Sequence, residues 1–210
     1  MFRNTSENAV RKIIIFGFPH CGTSILKSIF GHIEEIEEIY NETNVINNIM
    51  SNKKFIICKY PFTNYKFFSE TMSDYIKIFI IRNPLFVFSS LNKRFNYKIP
   101  NCHSFNMYMD TLKNFIKYKH NPKENIYTIR YEDLFINNYD ELKKIFIDIG
   151  FQYNDVVFDN SKYTNVIVMS EGVELFDKKP DNIQHNEYRT WQINQPFISN
   201  NDISKLDLHP

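Results

Sequence analysis

Lys12-Ile13-Ile14-Ile15-Phe16-Gly17-Phe18-Pro19-His20-Cys21-Gly22-Thr23-Ser24-Ile25-Leu26-Lys27-Ser28-Ile29-Phe30-Gly31-His32-Ile33 is the stretch whose reading decides the fold. Its apolar run from Ile13 to Phe16 is short and β-branched, which predicts a buried strand. Ile25, Leu26, Ile29 and Ile33 recur at helical spacing, which predicts a helix after the loop. Strand, glycine-bounded loop and helix form the layout of a phosphate-binding loop, because loop amides and a helix N-terminus present partial positive charge to an anion. The nucleoside-triphosphate version of that loop is G-x-x-x-x-G-K-[ST]. Gly17 to Ser24 keep the spacing, but Thr23 stands at the lysine position. A loop without that lysine still holds a phosphate, yet it is poorly equipped for ATP or GTP. The alternative is a tight strand-to-helix turn that binds nothing, since glycine-loop matches are weak by themselves.

The rest of the chain repeats the alternation. Ile36 and Ile39 interleave with acids and predict a short strand ending near Tyr40, and Asn44 to Ser51 reads as a helix. Phe55 to Tyr60 reads as a second buried strand, stopped by Pro61. Tyr65 to Ser73 reads as helical. Tyr75 to Ile81 is the strongest strand signal, and it ends in Arg82-Asn83-Pro84 with a helix from Pro84 to about Asn96. A helix over Ser104 to His120 carries Phe105, Tyr108, Met109, Leu112, Phe115 and Ile116 on one face. A strand over Asn125 to Ile129 follows, then a helix from Asp140 to Ile149 closed by Gly150. The pattern predicts an α/β fold: a single domain with a P-loop-type central parallel sheet flanked by helices on both faces. Its bounds read as a polar lead-in over 1–11, the domain over 12–198 and a polar tail over 199–210. Ligands of such sheets bind beyond the carboxyl ends of the strands. The glycine loop, Lys59, Arg82 and Tyr131 all follow or close predicted strands, so they can converge on one edge.

The chain has 210 residues, with 25 Lys+Arg against 24 Asp+Glu and a formal net charge of +1. That balance gives no support for nucleic-acid or anionic-membrane partners, so any anion site is local. Cys21, Cys58 and Cys102 are odd in number and suit neither a zinc site nor a disulfide framework, which points to a reducing, cytoplasmic setting. The first eleven residues lack an apolar signal core, and no run of about 18 apolar residues predicts a membrane span. His20, His32, His103, His120, His185 and His209 are scattered, and no metal site is expected from them.

Three blocks carry a family resemblance. Pro19-His20-Cys21-Gly22-Thr23-Ser24 resembles the Pro-Lys/Arg-Ser-Gly-Thr-Thr/Ser loop of sulfotransferases that use 3′-phosphoadenosine 5′-phosphosulfate (PAPS). Ile80-Ile81-Arg82-Asn83-Pro84, followed by Ser89-Ser90, resembles that family's 3′-phosphate block, in which a strand-end Arg is followed eight residues on by a helical Ser. Tyr131-Glu132-Asp133-Leu134 resembles its later Tyr-Glu-Asp-Leu turn. The blocks occur in family order over roughly residues 12 to 150.

The resemblance implies PAPS as donor, 3′-phosphoadenosine 5′-phosphate (PAP) as product and no metal. It also implies a hydroxyl or amine acceptor, carbohydrates included. It implies that Pro19, His20, Cys21, Gly22, Thr23 and Ser24 hold the 5′-phosphosulfate, and that Arg82 and Ser90 hold the 3′-phosphate. Tyr131 is placed near the adenine. Arg189 and Trp191 lie where the family closes a segment over the nucleotide, with Arg189 able to add a 3′-phosphate contact. Glu132 and Asp133 read as caps of the following helix.

The chain departs from the family at the catalytic groups. His20 replaces the usual loop Lys or Arg and is the candidate for stabilising the leaving oxygen, with Lys59 as the alternative. Lys59-Tyr60-Pro61 stands where cytosolic members carry Lys-Thr-His, so no base is found there. Carbohydrate and tyrosyl-protein members use a Glu a little over twenty residues beyond the loop's basic residue. Glu42, 22 residues after His20, is thereby selected as base, and Glu34, Glu35, Glu37 and Glu38 are read as solvated charges. A nucleoside or nucleotide kinase and a non-catalytic nucleotide-binding relic are the competing functions.

Overall fold

The computed structural model describes residues 10–39, 42–46, 49, 51–135, 137–159 and 206. At its centre lies β1 (Arg11–Gly17), whose residues Ile13 to Phe16 have no solvent exposure. β2 (Ile36–Glu38), β3 (Phe55–Tyr60), β4 (Tyr75–Ile81) and β5 (Ile126–Arg130) complete a five-stranded sheet in the order β2-β3-β1-β4-β5, with every pairing parallel. A parallel sheet covered on both faces has no solvated side. This is why β1 and β4 read as unbroken apolar runs and not as alternating ones.

Helices cover both faces. Phe16 of β1 meets Phe67, Phe68 and Phe79, and Phe79 meets Phe115 of α3 (Phe105–His120). Phe55 is the register partner of Arg11, five residues from Phe16, so it faces the other way. There Phe151 joins Phe55 to Phe30 of α1 (Thr23–Gly31) and to Phe146 of the helix over Asp140–Ile149. The last helix is numbered α5, after α2 (Pro84–Phe95) and the single turn α4 (Tyr131–Leu134). From β1 the chain fills one side of the sheet with β2 and β3, then the other with β4 and β5. The order therefore reverses at β1, and a crevice opens beyond the carboxyl ends of β1 and β4.

The expected α/β sheet is present, and two local readings change. The described residues of Asn44–Ser51 are not helical. Ile46 instead exchanges backbone hydrogen bonds with the Tyr75 hydroxyl, its amide donating at 2.8 Å and its carbonyl accepting at 3.2 Å. Tyr65–Ser73 forms two 3₁₀ turns, Tyr65–Phe68 and Glu70–Met72, and not one helix. Ser69 between them is extended, and its hydroxyl bonds the Lys66 carbonyl and Thr71, local bonds that compete with a helical ladder. Tyr40, the tail over 199–210 apart from residue 206, and its boundary lie outside the described residues. Among the described residues no helix is long and apolar enough to cross a membrane.

Candidate functional site

The crevice is floored by the loop after β1. A Cβ on Gly17 would sit 2.1 Å from the Ile80 carbonyl oxygen, so only glycine lets β1 and β4 close at this point. Phe18 and Cys21 turn inward, Phe18 packing edge-on to Tyr108 with centroids 5.4 Å apart. Burial pushes the Cys21 thiol up to about 12, so it is a neutral anchor and not a nucleophile. With those side chains anchored, Gly22 is left-handed (φ 101) and caps α1 with no side-chain bond. No acidic residue stands in the first turn of α1, whose leading amides have no partner further back in the helix. A helix start with such amides and no acid beside it is the kind of arrangement that favours an anion.

Arg82 leaves β4 beside the loop and is 9% exposed. Its guanidinium lies 4.1 Å from the centroid of the Tyr131 ring and 5.4 Å from that of Phe86. Its backbone carbonyl accepts a 2.7 Å bond from the Tyr108 hydroxyl, which burial keeps protonated by raising its pKa. Tyr108→Phe is expected to cost about 0.5–1.5 kcal/mol in urea denaturation, the usual worth of one such bond. Tyr131 is 3% exposed and also backs Gly22, because a Cβ there would meet the ring at 2.6 Å. Glu132 is not spent on capping its own helix: its Oε1 accepts the Asn83 amide at 2.7 Å and ties the end of β5 to the end of β4. Asp133 pairs with Arg130.

His20 stands at the mouth of the loop in a left-handed conformation, φ 66. Its Nδ1 lies 2.6 Å from Ser90 Oγ and its Nε2 lies 3.0 Å from Arg94 Nη1. A guanidinium only donates, so Nε2 accepts, and Nδ1 carries the proton that is donated to Ser90. Held this way, the ring is neutral. Arg94 was not singled out by the sequence. The available signal was its position four residues after Ser90 on α2, which places both on one helix face.

Lys59 closes β3 with 1% exposure, and its Nζ donates to Glu42 Oε1 at 2.6 Å, the carboxylate being 37% exposed. The candidate base and the alternative cation for the leaving oxygen are thus one ion pair. The other acids are less uniform than expected. Glu34 and Glu37 are exposed, but Glu38 pairs with the buried Lys27 of α1 at 3.3 Å. Glu35 pairs with Lys54 and accepts the Gln152 amide at 3.2 Å, because it bridges the sheet edge to the segment after α5. Arg189 and Trp191 lie outside the described residues. A surface hollow at Val10, Glu37, Ile49 and Ser51 lies by the amino ends of the strands, away from this site.

The sequence matches the family model described as Sulfotransferase domain over residues 10–192. No curated protein matches it. Among solved structures, a mouse sulfotransferase complexed with PAP superposes with a TM-score of 0.54 at 17% identity over 74% of this chain. The match spans 66% of that chain, just under two thirds of its length. The sulfotransferase domain from the curacin biosynthetic pathway follows at a TM-score of 0.48 and 12% identity, over 72% of this chain and 78% of its own. Retinol dehydratase in complex with retinol and PAP gives a TM-score of 0.48 and 10% identity, over 75% of this chain and 68% of its own.

Proposed function

The chain belongs to the sulfotransferase domain family, and from that membership we propose that it transfers a sulfuryl group from PAPS to a hydroxyl or amine acceptor, carbohydrate hydroxyls included. The observation that carries this reading is the pairing of two stations suited to anions on one sheet edge, a helix N-terminus and a buried guanidinium. One is the Gly17–Ser24 loop at the head of α1, and the other is Arg82 at the end of β4. A nucleotide with separate 5′ and 3′ charged groups needs two such stations. The loop's Thr23 in place of lysine disfavours the kinase reading.

In this reading Pro19, His20, Cys21, Gly22, Thr23 and Ser24 frame the 5′-phosphosulfate, chiefly through backbone amides. Arg82 and Ser90 hold the 3′-phosphate, with Arg189 as a further contact. Tyr131 serves the nucleotide through the two residues it packs, Arg82 and Gly22. Glu42 takes the acceptor's proton while the acceptor oxygen or nitrogen bonds to sulfur. The sulfur–oxygen bond to the nucleotide breaks, its electron pair stays on the phosphate, and His20 or Lys59 stabilises that charge. No protein group need change oxidation state. Three cysteines in thiol form support a cytoplasmic setting.

A donor radiolabelled in its sulfuryl group, screened against phenols, amines, sterols and oligosaccharides, tests the activity. Transfer of label to an acceptor is the expected result. PAP binding with no transfer to any acceptor would favour the relic. Arg82→Ala is expected to weaken PAP by about 1.5–3 kcal/mol, the worth of a charged hydrogen bond, and adenosine 5′-phosphosulfate much less. Equal calorimetric losses for both ligands would remove Arg82 from the 3′ station.

A further inference from the structure

We propose that Arg94 of α2 supplies the positive charge that the Gly17–Ser24 loop lacks, and that His20 is the positioning residue that aims it. The inference rests on the sulfuryl-transfer reading above and names the group that acts at its leaving oxygen.

The loop itself carries no Lys or Arg. The nearby cations are committed to other places. Lys27 of α1 is buried against Glu38, Lys59 is paired with Glu42, and Arg82 stacks on Tyr131. Arg82 also touches the loop, donating to the His20 carbonyl at 3.5 Å, but it is the Arg94 guanidinium that reaches the His20 imidazole, at 3.0 Å. Ser90, one helical turn earlier, holds the other ring nitrogen at 2.6 Å. Two residues of one helix face therefore clamp one imidazole and fix its tautomer, with Nε2 accepting from the guanidinium. A neutral imidazole brings no charge of its own to a leaving phosphate. The guanidinium behind it brings a full charge at any working pH.

A second group senses that charge. The imidazole of His103, packed on Phe62 and Phe95, has its pKa lowered, first by burial and then by Arg94. Through its contact with His20, Arg94 sets a positive charge at the mouth of the loop, where charge grows on the bridging oxygen as the bond to sulfur breaks. Guanidinium stabilises that oxygen by hydrogen bonding and charge alone and keeps its protons, so the step stays balanced.

The test separates charge from packing. Arg94→Gln keeps a side-chain N–H that can reach His20 Nε2 but removes the charge. It is expected to lower turnover about 10²–10³-fold, the usual effect of losing one preorganised charge-stabilising donor. It is also expected to weaken calorimetric binding of PAP, whose 5′-phosphate sits at the same mouth. Arg94→Lys should stay nearer to wild type than Arg94→Gln. Adding His20→Lys to Arg94→Gln places a cation on the loop itself and should recover at least tenfold of the loss, which a merely structural role would not allow. Nitrogen NMR of the His20 ring should show the neutral Nδ1–H tautomer in the wild type. Wild-type turnover in Arg94→Gln, no recovery in the double variant, or a protonated His20 ring beside Arg94 would each overturn the proposal. Failure of the wild-type protein to bind PAP would instead overturn the sulfuryl-transfer reading on which it rests.

Discussion

Glu42→Gln is expected to lower turnover by about 10²–10⁴-fold, the usual worth of a positioned general base, while PAP binds as to the wild type. The amide keeps an oxygen that can accept from Lys59 Nζ, now 2.6 Å from the carboxylate, so the local geometry is largely conserved. What is lost is the ability to take the acceptor's proton. The carboxylate is partly exposed whereas the ammonium is buried, which leaves the acid as the member of the pair that an acceptor can reach. The defect should persist with a donor that carries a better leaving group, because the base acts on the acceptor. Near wild-type turnover would place the base elsewhere. His103, held beside Phe62 and with Cys102 Sγ 3.1 Å from its Nδ1, is then the next candidate.

Gly22→Val is expected to abolish PAP binding. At φ 101 a β-branched residue is strained, at a cost of about 1–3 kcal/mol. Its Cβ would lie 2.6 Å from Tyr131 Cδ2 and 3.3 Å from Ile80 Cδ1, so the ring beneath Arg82 has to move. One substitution thus distorts the 5′ cradle and displaces the support of the 3′ station. A lower midpoint in urea should accompany the loss, and the fold should persist, since the sheet is untouched. Unchanged PAP affinity in calorimetry would make the loop purely structural.

The scaffold of this site was legible because it is written locally. The β-branched run of β1, the spacing of Gly17 and Gly22, and the unbroken apolar β4 ending in Arg82 are all nearest-neighbour signals. What could not be read depends on contacts distant in sequence. Asn44–Ser51 reads as a helix from its own residues, but Ile46 bonds to a tyrosine 29 residues away. Glu132 looks like a cap until the fold brings Asn83 within 2.7 Å of it. The ion pair of Glu42 with Lys59 spans 17 residues, and the Arg94 contact to His20 spans 74. The resemblance selected Glu42 and Lys59 separately, for different tasks. Their coupling is a property of the folded β3 edge.

The central claim is a two-station site for a nucleotide carrying both 5′ and 3′ charged groups. Titration calorimetry of the wild-type protein in chelator-containing buffer tests it most directly, with PAP in one arm and ATP plus magnesium, without chelator, in the other. The account predicts tight PAP binding without metal and weak or no binding of ATP with magnesium. Binding of ATP with magnesium in the absence of any response to PAP would contradict it.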